Sequence, residues 1–156
     1  MAGSLLLKEQ ALVTLTATGA SLTTGSAGSA ATTLDARTAG NAADFFAALF
    51  SLNLQFAATG PVAGTNVADL YLVPSLDGTT YPDVDTTAGT SYIPFTMRVG
   101  SFVCHKTIAA TTSYTFQSNA VDLLPVLYTA YIINRSGVTI NVNWTLKVAA
   151  SAAQYT

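Results

Sequence analysis

Cys104 and His105 stand side by side. A thiol next to an imidazole is the pair from which nucleophilic catalysis is built, provided the two side chains meet in space and a third group orients the imidazole. Neighbours on a strand point to opposite faces, so this pair cannot form locally. The chain has one cysteine and one histidine, so neither has another partner of its kind. The expectation is a buried cysteine beside an exposed histidine. The same count denies a structural tetrahedral zinc site within one chain.

Asp77, Asp83 and Asp85, with Asp69 nearby, form the densest run of carboxylates. Oxygen-rich loops of this kind can hold calcium, but the spacing does not match the twelve-residue helical loop, and no glutamate lies close. The preferred reading has Asp77 shaping an Asp-Gly turn with Gly78, and Asp83 and Asp85 solvated. Nothing beyond their being carboxylates supports Asp77 and Asp83 as a glycosidase pair. Tyr71, Tyr81, Tyr92 and Tyr114 could line a carbohydrate platform, although packing across strands is the simpler use. Asn134-Arg135-Ser136 and Asn143-Trp144-Thr145 match the glycosylation pattern but read as turn and strand residues. Gly25-Ser26-Ala27-Gly28 lacks the Lys-Ser/Thr that a phosphate-binding loop needs. No residue is therefore expected to be catalytic, to hold a cofactor or to ligate a metal, and the chain is not expected to be an enzyme.

The elements that would position these residues are strands. Asp69–Val73 reads as a strand whose Leu70, Tyr71, Leu72 and Val73 are apolar on both faces, as in a strand buried on both sides. Asp77-Gly78 after it reads as a hairpin turn leading to a second extended piece that ends at Pro82. Ala42–Ala58 places Phe46, Ala48, Phe50, Leu52, Leu54 and Phe56 on one parity, which favours a long strand. Tyr92–Arg98 and Gly100–Lys106 read as one bent strand or two short ones. Ser113–Gln117 and Leu123–Ile133 come next, and Asn134–Gly137 makes a turn. Val138–Val148 shows the clearest alternation, with Val138, Ile140, Val142, Trp144, Leu146 and Val148 facing in.

About seven to nine strands at regular spacing indicate an all-β antiparallel sandwich, jelly-roll-like, with an immunoglobulin-like sandwich as the alternative. Residues 1–41 read as an extended N-terminal arm. Gln10–Ala17 alternates like a strand, but Thr18–Gly40 is Gly, Ser, Thr and Ala with almost no large apolar residue. Residues 42–156 are then a single sandwich domain. On this reading the arm carries the assembly contacts, through Leu5, Leu6, Leu7, Val13, Leu15, Leu22, Leu34 and Arg37, by strand addition or groove filling on a neighbour.

Composition narrows the function classes. Half of the residues are hydrophobic and 9% are charged, against about 25% charged in an average domain. No apolar run approaches the roughly 20 residues that span a bilayer, and Leu5–Leu7 is too short for a secretory signal. The net charge is −2 and the basic residues are scattered, so neither a membrane nor a nucleic acid is an expected partner. A surface this poor in charge is suited to being covered by neighbours. The expected partner is a second copy of the chain.

The segments ADLYLVPSLDGTTYPD, RVGSFVCHK and VDLLPVLYTAYIINRSG, with the closing strand, resemble a family of small virion structural proteins of tailed bacteriophages. The resemblance covers roughly Phe45–Val148. It implies a β-sandwich without enzymatic activity that works in an assembled particle as a capsid decoration or cement subunit. The implied partners are itself, as a homo-oligomer such as a trimer in the threefold environment of a shell, and the phage major capsid protein. The implied location is the capsid surface of the virion, after assembly in the host cytoplasm. A neck, tail or fibre-associated protein and a carbohydrate-binding module for host attachment remain the alternatives.

Overall fold

The computed structural model describes residues 5–9, 13–15, 20–37, 45–87 and 89–155. Eleven strands run through them: β1 Leu5–Glu9, β2 Val13–Thr14, β3 Ala27–Ser29, β4 Leu34–Asp35, β5 Phe45–Leu54, β6 Asn66–Ser75, β7 Arg98–Val103, β8 Tyr114–Gln117, β9 Val121–Asp122, β10 Leu127–Asn134 and β11 Thr145–Tyr155. The first sheet has the order β1-β11-β5-β8, with β2 also on β11 and β9 also on β5. The second has the order β3-β10-β6-β7, with β4 also on β10. Every pairing is antiparallel.

Taking β1/β2, β3/β4 and β8/β9 as three interrupted strands leaves two four-stranded sheets. Every connection crosses from one sheet to the other except β6 to β7. This is the jelly-roll order, in which the first strand lies beside the last and two Greek keys are wound together.

Alternation along β5 builds the centre of the core. Ala48, Phe50, Leu52, Leu54 and Phe56 are buried, whereas Leu49 and Gln55 are exposed. They meet Leu70 and Leu72 of β6, Ala130 and Ile132 of β10, and Leu146 and Val148 of β11. Burying each large side chain of this set contributes about 1.5–3 kcal/mol. β6 is buried on both faces, as its sequence implies, and the cause is visible. The one connection that stays within a sheet, residues 76–97, folds back over the outer face of the second sheet. There Tyr71, Val73, Ile93 and Ile133 form a second small core, flanked by Tyr81, Val84 and Met97.

The N-terminal segment departs from expectation. It is not an extended arm on a domain that begins at residue 42. Its described residues supply one interrupted strand to each sheet of the same sandwich. Leu15, Leu22, Leu34 and Ala36 are buried in the shared core. Gly28 on β3 lies directly under the Trp144 indole, so close that a Cβ there would overlap the ring. A Gly/Ser/Ala segment is what this position requires, because the opposite sheet supplies the bulk.

Two further expectations change. Asp77-Gly78 does not open a hairpin, because β6 pairs with β10 and β7 rather than with the residues just after the turn. Gly78 alone of the two takes positive φ, whereas a type I′ turn needs both. The strand expected over Val138–Val148 is broken. Ile140 is bridged to Phe56 and Asn141 N–H donates to Gln55 O, both just past the end of β5. Val142 and Asn143 bulge outward opposite Leu54 ahead of the buried Trp144, and the ladder resumes with β11 at Thr145 and runs to Tyr155. Val142, expected inside, is half exposed. Asn143 turns the chain with φ of 67°, a conformation asparagine tolerates better than most residues.

Candidate functional site

The residues whose chemistry stood out in the sequence are kept apart by the fold. Cys104 is buried with its Sγ against the carbonyl oxygens of Pro61 and Lys106, while His105 is exposed. Among the described residues no group of three or more His, Cys, Asp or Glu is placed to hold a metal ion. Asp77 spends its carboxylate on its own turn. It accepts from Thr80 N–H (2.7 Å), Thr79 N–H (2.8 Å), the Thr80 hydroxyl (2.8 Å) and the Ser75 hydroxyl (3.0 Å). The backbone N–H groups of Thr80 and Thr79 and the Thr80 hydroxyl hold its pKa well below the usual carboxylate range. Asp85 is occupied in the same way by Thr87.

The tyrosines do not form one platform. Tyr71 is buried under residues 76–97, Tyr81 is half-buried beside it, and Tyr92 is exposed. Tyr114 lies on the other sheet under the Lys106 ammonium, 5.5 Å from the ring centre. Asn134 is fully buried, and all four of its hydrogen-bonding positions are used. Its Nδ2 donates to Leu22 O (2.7 Å) and Val138 O (2.8 Å), and its Oδ1 accepts from Ser136 N–H (2.9 Å) and the Ser136 hydroxyl (2.7 Å). It is a clamp on the N-terminal segment, with no amide hydrogen left for a glycan.

The residues expected to carry arm contacts are mostly engaged within the chain. Leu15, Leu22 and Leu34 are core, so presenting them to a neighbour would require opening the sandwich. Leu5, Leu6 and Leu7 pair along β11 with Tyr155, Gln154 and Ala153. Val13 pairs with Val148 and stays part-exposed. Arg37 bonds the Asp35 carboxylate at 3.1 Å. Residues 38–41, the end of the expected arm, lie outside the described residues. Strand addition is also poorly served by the edges. β3/β4 and β8/β9 are interrupted, and the register of β7 shifts twice against β6, the kind of irregularity that blunts a sheet edge.

One charged cluster is well organised. Asp69, on the outer face of β6, accepts from Arg98 Nη2 (2.8 Å), Arg135 Nε (2.9 Å) and Asn66 Nδ2 (2.8 Å). Burial alone would raise its pKa, but the hydrogen bonds from Asn66, Arg98 and Arg135 together outweigh it, and the net shift is downward. The two arginines come from β7 and from the turn after β10, so the cluster ties three neighbouring strands together.

The surface feature that does resemble a contact site lies at one end of the sandwich. A groove of about 730 Å3 runs between the end of β6 with its following turn and the β9–β10 connection. Leu76 is 84% exposed and Leu124 is 69% exposed. Tyr81, Pro82 and Val126 complete an apolar wall. The one charged residue on the groove, Asp77, is satisfied internally. Sequence reasoning missed Leu76 and Leu124. The available signal was a leucine set within turn chemistry, as in Pro74-Ser75-Leu76-Asp77-Gly78 and Leu123-Leu124-Pro125, where no core position is expected.

Comparison with protein-family models and with curated proteins finds no match for the chain.

Proposed function

We propose that this chain is a structural subunit of a tailed-phage virion, a head decoration or cement protein that acts by packing against copies of itself and against the major capsid protein. The observation that carries the reading is the pairing of a jelly-roll body with a largely apolar contact groove around Leu76 and Leu124, whose one carboxylate, Asp77, is satisfied within its own turn. Jelly rolls are a recurrent architecture of viral shells. A surface with 9% charged residues in the chain matches the low charge of obligate interfaces. The resemblance of the Asp69–Asp83 and Val121–Gly137 segments to small phage virion proteins points the same way.

The mechanism is mechanical, and the fold changes how it works. The N-terminal segment is sewn into the sandwich, so reinforcement comes from rigid-body packing through the groove end rather than from an arm laid over neighbours. A trimer fits this role, since a closed ring presents three equivalent grooves to a shell. The Asp69–Arg98–Arg135 cluster and the Asn134 clamp keep the body rigid under load.

Purified chain should run as a closed oligomer in light scattering coupled to size exclusion, and should add to particles lacking it. Leu76→Glu with Leu124→Glu should give folded monomers that no longer add. A wild-type chain that is monomeric and does not associate with particles would overturn the reading.

A further inference from the structure

A second hollow lies away from the apolar groove, on the outer side of the first sheet. It has a volume of about 420 Å3, within the range of about 300–1,000 Å3 of ligand sites. Its polar lining is Asn53, Gln55, Ser113, Asn141 and Asn143, with Val142 as an apolar element. A smaller hollow of about 230 Å3 shares Asn53 and continues along the sheet past Ser51, Thr115 and Thr145 to Lys147.

The side chains are set in order. Asn53 Nδ2 donates to the Thr115 hydroxyl and Gln55 Nε2 donates to the Ser113 hydroxyl, each at 2.9 Å. These cross-strand bonds fix both amides and leave their carbonyl oxygens, their second N–H groups and the two hydroxyl hydrogens unused. Asn141 is held by its Nδ2 on Phe56 O (3.4 Å) and its N–H on Gln55 O (2.8 Å).

The backbone is distorted around the same place. Among the described residues, the two non-glycine residues with positive φ are Thr111 (57°) and Asn143 (67°). Asn143 lines the hollow, and Thr111 is two residues from Ser113. The carbonyl of Phe56 accepts from Thr111 N–H and from Asn141 Nδ2, so one oxygen anchors both distorted loops. A β-branched residue at positive φ is strained, and such strain gathers where function requires it. The bulge at Val142 and Asn143 also interrupts the strongest alternating pattern in the sequence, a local rule broken where the hollow opens.

We propose that this trough binds a neutral saccharide. Planar amides present a donor and an acceptor side by side, which matches the vicinal hydroxyls of a sugar ring, and Val142 offers a contact for its C–H face. The larger hollow carries no formal charge, so it offers an anionic ligand no countercharge. A peptide strand has no free ladder here, because β5 is paired on both sides with β8 and β11. The two hollows in line through Asn53 suit consecutive rings of an oligosaccharide. The proposal stands independently of the assembly role.

The test is an array of uncharged and anionic oligosaccharides probed with the full-length chain, followed by calorimetric titration with the free oligosaccharide that gives the strongest signal. Binding to uncharged glycans is expected. Asn53→Ala and Gln55→Ala should each weaken it about threefold to tenfold, and Leu76→Glu, at the other site, should leave it unchanged. Gln55 is exposed, so its variant reports binding without a folding defect. Failure to bind any uncharged oligosaccharide, binding confined to anionic glycans, or affinity indifferent to both substitutions would overturn the proposal.

Discussion

Asn134→Ala tests whether the N-terminal segment is part of the folded body. The side chain makes four hydrogen bonds, to Leu22 O, Val138 O and twice to Ser136. Each buried bond is worth about 0.5–1.5 kcal/mol net, which bounds the loss at about 2–6 kcal/mol. Two partners are not orphaned, however. Leu22 O keeps Ile140 N–H at 3.0 Å, and the Ser136 hydroxyl, released from Asn134 Oδ1, can turn its hydrogen to Val138 O, 2.8 Å away. Ser136 N–H loses its bond outright, and a small void replaces the amide. The expected destabilisation is therefore about 2–4 kcal/mol. In a domain of this length each kcal/mol moves the melting temperature by about 2–4 °C. Urea unfolding followed by Trp144 fluorescence and far-ultraviolet circular dichroism measures it, and the two probes should shift together. A loss under about 0.5 kcal/mol, the range of ordinary surface substitutions, would mean that residues 22–26 do not dock on the body.

Other substitutions probe the same packing. Gly28→Ala places a methyl group into the Trp144 ring and should destabilise the fold by about 1–3 kcal/mol, with partial recovery in a Gly28→Ala/Trp144→Phe double variant; a neutral Gly28→Ala in chemical denaturation would contradict the position of β3. Asp69→Asn leaves Arg98 and Arg135 without their carboxylate and should cost on the order of 2–3 kcal/mol at neutral pH, below the about 3–5 of a fully buried pair because both arginines are partly exposed. Because the folded pKa of Asp69 is depressed, this contribution is present above the unfolded carboxylate value of about 3.9 and is lost as pH falls through the folded value. The stability gap between wild type and Asp69→Asn should therefore narrow below about pH 4, and a gap constant down to pH 2 would refute the assignment. Leu76→Glu and Leu124→Glu should change monomer stability by less than about 0.5 kcal/mol, since both side chains are largely exposed, while abolishing oligomers in light scattering.

The class of fold was legible because it is written in period-two patterns with large side chains. β5 and β6 could be read in that way, and the sequence implied burial of both faces of β6 without showing the loop that covers its outer face. The N-terminal strands were not legible, for the converse reason. At Gly28 the bulk is supplied by Trp144, more than a hundred residues later, so a chain that looks too poor in apolar groups to fold is the fitted half of a contact. The break near Asn143 was hidden by arithmetic. The bulge keeps Trp144 and the later core residues on the inward parity, so the alternation runs through it undisturbed. The groove and the trough lay beyond sequence reading because each is assembled from distant segments. Leu76 and Leu124 come to one groove only through the pairing of β6 with β10, and Gln55 meets Asn141 only across the bulge.

On the proposed function, the chain works as a packed subunit of a virion shell through its groove end. Cryo-electron microscopy of tailed-phage particles assembled in the presence of the chain is the sharpest check on it. The expected result is jelly-roll density on the head, with Leu76 and Leu124 buried against a neighbouring copy or the major capsid protein. A subunit confined to the tail, or one bound to the head with both leucines facing solvent, would contradict it.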